Sequence, residues 1–153
     1  MRRKDKEITD RAEIEQIIAR AEVCRLGLID QQQPYIVPLN FGYQDNCLYF
    51  HSAPEGKKIE LLRKNQRVCF EIDIDTEIVA GERSCSWTTR YRSVIGWGKA
   101  EILKSVEEKR GGLQIIVNHY SPEPSGEIPA QAISRVTVIK VTIEEISGKK
   151  SGY

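Results

Sequence analysis

"RVCFEIDI", residues 67–74, alternates apolar and polar side chains without a break. Every second position is apolar, at Val68, Phe70, Ile72 and Ile74. The positions between them are mostly charged, at Arg67, Cys69, Glu71 and Asp73. A period of two is typical of a β-strand that buries one face, so we predict a half-buried strand here.

Five other segments also read as strands: "VCRLGLI" (23–29), "PYIVPLNF" (34–41), "CLYFH" (47–51), "YRSVIGWGKAEIL" (91–103) and "RVTVIKVTIEEI" (135–146). Short turns join the early strands, which favours antiparallel pairing. Pro38 lacks an amide proton, so its strand should lie at a sheet edge or contain a bulge. Gly96 and Gly98 suggest bending, or the close approach of another group. Residues 76–90 show no clear period and are predicted to form a loop.

Three helices are predicted, within residues 9–21, 53–64 and 105–120, from apolar residues at helical spacing. Six strands and three short helices make a mostly β chain, α+β by helix count, and a small antiparallel barrel with helices at its rim is the natural closure. The length fits a single domain over residues 1–153, with 1–9 as a flexible N-terminus.

The charge balance argues against a nucleic-acid partner. With 23 basic and 22 acidic residues, the formal net charge is +1, which gives no broad positive surface. No apolar run approaches the roughly 20 residues that span a bilayer, so no membrane partner is expected. The four cysteines lack C-x-x-C spacing and only two histidines accompany them, so no metal site is expected. Cysteines within apolar runs favour a reduced, cytoplasmic protein.

Residues 51–58, "HSAPEGKK", lie between a predicted strand and the helix predicted over 53–64. Ser52 and Glu55 have the spacing of a capping box, and Pro54 suits a first helical turn. One interpretation is therefore a well-capped helix with no further role.

A phosphate site is the other interpretation of this stretch. Gly56 would weaken a helix yet let an anion approach the backbone, while Lys57 and Lys58 oppose the helix dipole unless an anion is bound there. His51 fits either a hydrogen-bonded structural residue or a group that exchanges a proton with a substrate. We favour the phosphate interpretation.

In this order, "VPLNF" (37–41), "YFHSAPEGKK" (49–58), "VCFEID" (68–73) and "YRSV" (91–94) resemble the FMN-binding split barrel of the pyridoxamine-phosphate-oxidase superfamily. The nearest branch is that of the nitroimidazole-resistance proteins, and the resemblance extends over about residues 10–148. It implies a six-stranded antiparallel split β-barrel with short flanking helices. It also implies FMN as the cofactor and a homodimer with the flavin at the subunit interface.

The resemblance further implies which residues bind the cofactor. The strand that would line the isoalloxazine ring contributes Val37, Pro38, Leu39, Asn40 and Phe41. The phosphate would contact Ser52, Gly56, Lys57 and Lys58. Further contacts to the ring edge or phosphate would come from Arg92, Ser93 and Lys149. His51 matches a histidine associated with activity in the nitroimidazole branch, which implies a catalytic role at the cofactor.

Residues that bind pyridoxine substrates have no clear match, so vitamin B6 oxidation is not expected. Three functions stay open. The first is an FMN-dependent reductase that passes electrons from a reduced nicotinamide, or another donor, to a small acceptor such as a nitroaromatic. The second is a flavin-binding or flavin-storing module without turnover. The third is a split barrel that holds haem or another cofactor.

Overall fold

One antiparallel sheet of eight strands runs through the structure, a computed structural model that describes residues 3–121 and 126–153. Its strands are β1 (Glu7–Ile8), β2 (Cys24–Asp30), β3 (Gln33–Leu39), β4 (Phe41–Gln44), β5 (Cys47–Ser52), β6 (Arg67–Val79), β7 (Thr88–Ile102) and β8 (Thr137–Ser151). Hydrogen bonds give the order β3-β2-β6-β7-β8-β5-β4, and β1 pairs with β8. The terminal strands β3 and β4 do not pair with each other, so the barrel is split.

The predicted antiparallel, mostly β fold is confirmed, but the part of the chain that the structure describes forms eight strands where six were predicted. The segment "PYIVPLNF" breaks at Asn40 and supplies both β3 and β4. The other added strand, β1, pairs Glu7 with Lys149, so part of the segment predicted as a flexible N-terminus joins the sheet. The predicted loop over 76–90 is also shorter, because β6 continues to Val79 and β7 begins at Thr88.

Alternating side chains fill the barrel as the sequence predicts. Val68, Phe70 and Ile72 are buried on the inner face of β6, while Arg67 faces outward. The barrel wall is tight at β7, where a Cβ on Gly98 would lie 2.3 Å from the carbonyl oxygen of Thr142 on β8. The close approach predicted for this glycine is therefore confirmed, and the neighbouring strand causes it.

The edge position predicted for the proline-containing strand is also confirmed. β3 ends the strand order and pairs only with β2, where Pro38 lies opposite Arg25. An edge strand directs the N–H of every second residue away from its partner, so it tolerates a residue without an amide proton.

The described residues form four α-helices: α1 (Arg11–Arg20), α2 (Lys57–Lys64), α3 (Val106–Tyr120) and α4 (Ala130–Ser134). The first three pack against the barrel, and α4 packs against α3. Asp10 caps α1 by accepting a hydrogen bond from the amide of Ala12. Ser105 and Glu108 form the capping box that begins α3. No helix in the described ranges is long and apolar enough to cross a membrane.

Asp75 joins four parts of the fold at a bulge in β6. It has φ +54°, and its carboxylate lies 2.5 Å from Arg20 of α1 and 2.6 Å from Arg92 of β7. Its carbonyl accepts a hydrogen bond of 2.7 Å from the hydroxyl of Tyr153. Hydrogen bonds from Arg20 and Arg92 lower the pKa of Asp75, and the bond from Arg20 has the larger effect.

We expect Asp75→Asn to reduce the free energy of unfolding at pH 7 by about 1 kcal/mol, because Arg20 is more than half exposed and solvent weakens its ion pair. Asparagine tolerates positive φ, so the substitution removes the charge without straining the bulge. A carboxyl whose pKa is lowered by folding stabilises above its unfolded pKa of about 3.9 and stops doing so as pH falls further. Urea unfolding from pH 7 to pH 3 should show the two proteins converging below about pH 4. A constant difference would contradict this role.

Candidate functional site

The turn between β5 and α2 differs from the predicted capped helix. The helix begins at Lys57 rather than at residue 53, and Ser52 is the last residue of β5. No side chain caps the helix, so the predicted capping box of Ser52 and Glu55 is wrong. Gly56 is the N-cap residue and has φ +121° and ψ 168°, a conformation that is essentially confined to glycine. Gly56 therefore shapes the turn and lies outside the helix.

Several donors at this turn have no partner among the described residues. The first hydrogen-bonded amide of the helix is that of Ile59, which leaves the amides of Lys57 and Lys58 free. The Ser52 hydroxyl and the Lys58 ammonium likewise make no hydrogen bond or ion pair with the described chain. A Cβ on Gly56 would meet no atom within 4 Å, so the turn is open. These free donors can bind an anion by donating hydrogen bonds to it.

The two lysines of the turn have different surroundings. The ammonium of Lys57 lies 2.8 Å from the carboxylate of Asp30 and 4.7 Å from the centre of the Tyr35 ring. The hydrogen bond to Asp30 raises the pKa of Lys57. Lys58 is half-buried, and burial lowers its pKa. A nearby anion would stabilise the charged form of Lys58 and so offset the effect of burial on its pKa. Lys57 already has the Asp30 carboxylate as its partner, so an anion would stabilise its charged form less.

The residues predicted to line a flavin ring differ in how exposed their side chains are. Val37 and Leu39 are half-buried on the inner face of β3, while Pro38 lies exposed on the outer face. Asn40 is exposed in the break after β3. Phe41 is fully buried in the core, and its amide donates to the Tyr120 hydroxyl at 2.9 Å. Its side chain therefore has no exposed surface to offer a ligand.

Arg92 and Ser93 point to opposite faces of β7, because neighbouring residues of a strand alternate. Arg92 is bound to Asp75 and lies over the ring of Tyr153, 4.0 Å from its centre. Ser93 pairs with Lys149 of β8. The structure therefore brings Ser93 and Lys149 together and places Arg92 on the other face of the strand.

The pair formed by Ser93 and Lys149 is also far from the α2 turn of the same chain. Gly27, Cys69 and Trp97 lie side by side on β2, β6 and β7. Asp30, which contacts Lys57, is three residues to one side of this row, and Ser93 is four residues to the other. At about 3.3 Å per residue, seven residues correspond to roughly 23 Å along the strands.

His51 is exposed near the end of β5, next to Ser52, and has no partner among the described residues. His119, by contrast, lies 2.7 Å through Nε2 from the carbonyl oxygen of Ala21, and its ring packs against Phe41. Only His51 is thus available to a ligand. No group of metal-binding side chains is found within residues 3–121 and 126–153.

An apolar groove of about 640 Å³ crosses the outer face of β3, β2, β6 and β7. Ile36 and Trp97 line it and are 63% and 44% exposed. Trp97 therefore lies at the surface and does not belong to the core. The sequence contains a signal for this surface, since "PYIVPL" is apolar at consecutive positions and so has no purely polar face.

Asp30 and Tyr35 are the residues at this turn that sequence reasoning missed. They approach Lys57 from β2 and β3, 27 and 22 positions earlier in the chain. No local pattern connects such distant residues.

Comparison with known proteins agrees with this fold. The family model described as pyridoxamine 5'-phosphate oxidase matches residues 10–150. A candidate 5-nitroimidazole antibiotic resistance protein from Bacteroides thetaiotaomicron VPI-5482 is 39% identical, with a TM-score of 0.84 over 94% of this chain and 86% of that one. An FAD and haem binding protein from Mycobacterium smegmatis shares the fold at 18% identity, with a TM-score of 0.87 over 97% and 74% of the two chains.

The sequence also matches an uncharacterised protein from Rhizobium meliloti (strain 1021), with 35% identity over 65 residues. That match spans 42% of each protein, so the chain covers less than half the length of this curated relative. The family model, in contrast, takes in all the strands from β2 to β7, all four helices and nearly all of β8. The chain therefore belongs to the pyridoxamine 5'-phosphate oxidase family.

Proposed function

We propose that the chain binds FMN with its phosphate at the start of α2. The observation that carries this proposal is the set of free donors around an open glycine: two backbone amides, the Ser52 hydroxyl and the Lys58 ammonium. A phosphate monoester presents several acceptor oxygens and a double negative charge, and a helix N-terminus favours both. The residues present therefore fit the phosphate end of FMN.

The rest of the flavin would lie along the β2–β3 hairpin and the apolar groove. Tyr35 and Lys57 connect the start of α2 to β3, the strand predicted to line the ring. The groove offers apolar side chains, including Ile36 and Trp97, to a flat ring on the outer face of β3. Of the predicted ring-lining residues of β3, Pro38 is on that face, whereas Val37 and Leu39 face inward. Binding there would exclude water from one ring face and would bury side chains that are exposed in the single chain.

We further propose a homodimer in which two copies complete each site. Ser93 and Lys149 lie roughly 23 Å along the sheet from the Asp30–Lys57 contact, so one chain does not gather all the predicted ligands. A second copy packed on the outer face would bury Ile36 and Trp97. It would also bring its own Ser93 and Lys149 towards the groove. The dimer therefore explains both the exposed apolar surface and the separated ligands.

Bound FMN would supply electron transfer, from a reduced nicotinamide or another donor to a small acceptor. A nitroaromatic acceptor is suggested by the Bacteroides thetaiotaomicron protein, which is named for 5-nitroimidazole resistance. In this chain the turn before α2 would hold the phosphate and β3 would orient the ring. His51, exposed on the face of β5 opposite to the Ser52 side chain, would exchange a proton with the acceptor through its imidazole.

Two measurements distinguish the proposed reductase from a haem-binding protein and from a flavin-storing module. The absorption spectrum of the purified protein separates a flavin from haem, for which His51 is the free imidazole. Oxidation of a reduced nicotinamide with a nitroimidazole acceptor then separates a reductase from a flavin store. Turnover well above that of the same concentration of free FMN supports the reductase, and turnover equal to free FMN contradicts it. Lys58→Met, which removes a proposed phosphate ligand, is the matched control and should bind and turn over less.

A further inference from the structure

Lys57 is already engaged by the β2–β3 hairpin. Its ammonium contacts the Asp30 carboxylate, the last residue of β2, at 2.8 Å, and lies over the Tyr35 ring at 4.7 Å. Both contacts are made by residues of the hairpin and neither by α2 itself. Lys57 thus ties the first residue of the helix to the hairpin beside it.

Lys58 is free of such contacts. It makes no ion pair with any described residue, and it is more buried than Lys57. Successive residues of a helix project about 100° apart, so the two side chains leave the helix in different directions. Lys57 and Lys58 are adjacent in sequence but can therefore have different roles in binding the cofactor.

We propose that Lys57 is a positioning residue that, with Asp30 and Tyr35, holds the β2–β3 hairpin against the start of α2, while Lys58 meets the phosphate. This inference rests on the proposed function. A phosphate brought to Lys57 would lie close to the Asp30 carboxylate, whose negative charge repels it. Lys58 has no ion-pair partner among the described residues, so its ammonium is available to the phosphate.

The hairpin needs such a tether because β3 is an edge strand that pairs only with β2. β3 also carries Val37, Pro38 and Leu39, which are predicted to line the ring. The contact of Lys57 with Asp30 and Tyr35 therefore fixes the position of the ring-lining strand relative to the phosphate-binding turn. A loosened hairpin would weaken contacts with the ring whether or not the ligand carries a phosphate.

Riboflavin and FMN, which differ only in the phosphate, separate the two roles. Lys57→Met and Lys58→Met are matched, because each replaces the same side chain with an uncharged one of similar length. We expect Lys58→Met to lower the affinity for FMN about tenfold or more and to leave the affinity for riboflavin unchanged. We expect Lys57→Met to lower both affinities by the same factor, so that their ratio keeps its original value. A ratio that falls as far in Lys57→Met as in Lys58→Met would overturn the proposal.

Two further variants test the contact itself. Lys57→Arg keeps a cation for both Asp30 and Tyr35, so it should restore both affinities. Asp30→Asn should behave like Lys57→Met, and the double variant should lose no more than either single one, because each removes the same contact. Additive losses would show that the two residues act separately, against the proposal.

Hydrogen exchange in the flavin-free protein gives a measurement that does not depend on the cofactor. The amides of β3 should exchange faster in Lys57→Met and Asp30→Asn than in the original protein, and at the original rate in Lys58→Met. Unchanged exchange in Lys57→Met would overturn the proposed tether. If the original protein binds neither flavin while exchange follows the expected pattern, the proposed FMN site is wrong and the tether stands.

Discussion

Gly56→Ala is expected to weaken FMN binding at least tenfold and to lower the free energy of unfolding by about 1–3 kcal/mol. At φ +121° and ψ 168° a side chain is strained whatever the space around it. The substitution would therefore move the turn and the free amides of Lys57 and Lys58 that follow it. Because the ring would keep its contacts with β3, riboflavin should lose less affinity than FMN. Fluorescence titration with both flavins, and urea unfolding, measure these effects.

Gly111→Ala is the matched control for this variant. Gly111 also has no atom within 4 Å of the position a Cβ would take, but it lies inside α3, where alanine is favoured over glycine by up to about 1 kcal/mol. We expect this variant to be at least as stable as the original protein and to bind FMN unchanged. If the two alanine variants behave alike in titration and unfolding, the special role of the Gly56 turn is disproved.

Ile36→Glu is expected to convert the proposed dimer into a monomer, with a loss of association of about 2 kcal/mol or more. Ile36 is 63% exposed on the outer face of β3, in the groove that also contains Trp97. The two arginines that line the groove, Arg25 and Arg67, are already paired with carboxylates, so a carboxylate buried there between two copies would find no free cation on its own chain. Sedimentation of both proteins across a range of concentrations measures the change.

Val106→Glu is the control for this second variant. Val106 is also an exposed apolar residue, at 46%, but it is the first residue of α3, where the helix dipole favours a carboxylate. It should leave both the oligomeric state and FMN binding unchanged. A dimer that survives Ile36→Glu would show that the outer face is not the interface.

Mixing two defective copies tests whether the sites are shared. Lys58→Met and Lys149→Met would each impair binding in their own homodimers, because each removes one proposed ligand. In a mixed dimer one site would carry both changes and the other would carry neither. Recovery of tight binding at half the sites of the mixed dimers is expected, and a mixture no better than its components would place all ligands in one chain.

The barrel could be predicted from sequence because its signals are local. The alternation in "RVCFEIDI" marks a strand with one buried face, and the proline at position 38 marks an edge. The break between β3 and β4 at Asn40 could not be predicted from a local pattern of this kind. It is accompanied by a contact between Phe41 and Tyr120, in which a hydroxyl 79 residues away accepts the amide hydrogen bond.

The candidate site was predicted less completely, for the same reason. The stretch "HSAPEGKK" identified the turn and its lysines, but the S-x-x-E spacing also predicted a cap that does not form. The backbone conformation of Gly56 decides between the two patterns, and sequence does not show it. The contacts of Lys57 with Asp30 and of Arg92 with Asp75 are likewise non-local, so equal roles were assigned to residues whose surroundings differ.

A crystal structure of the protein grown with FMN tests the central claim most directly. We predict the phosphate at the start of α2, accepting hydrogen bonds from the amides of Lys57 and Lys58 and from the hydroxyl of Ser52, with Gly56 unchanged in conformation. Electron density that places the phosphate elsewhere, with only solvent at this turn, would contradict the account.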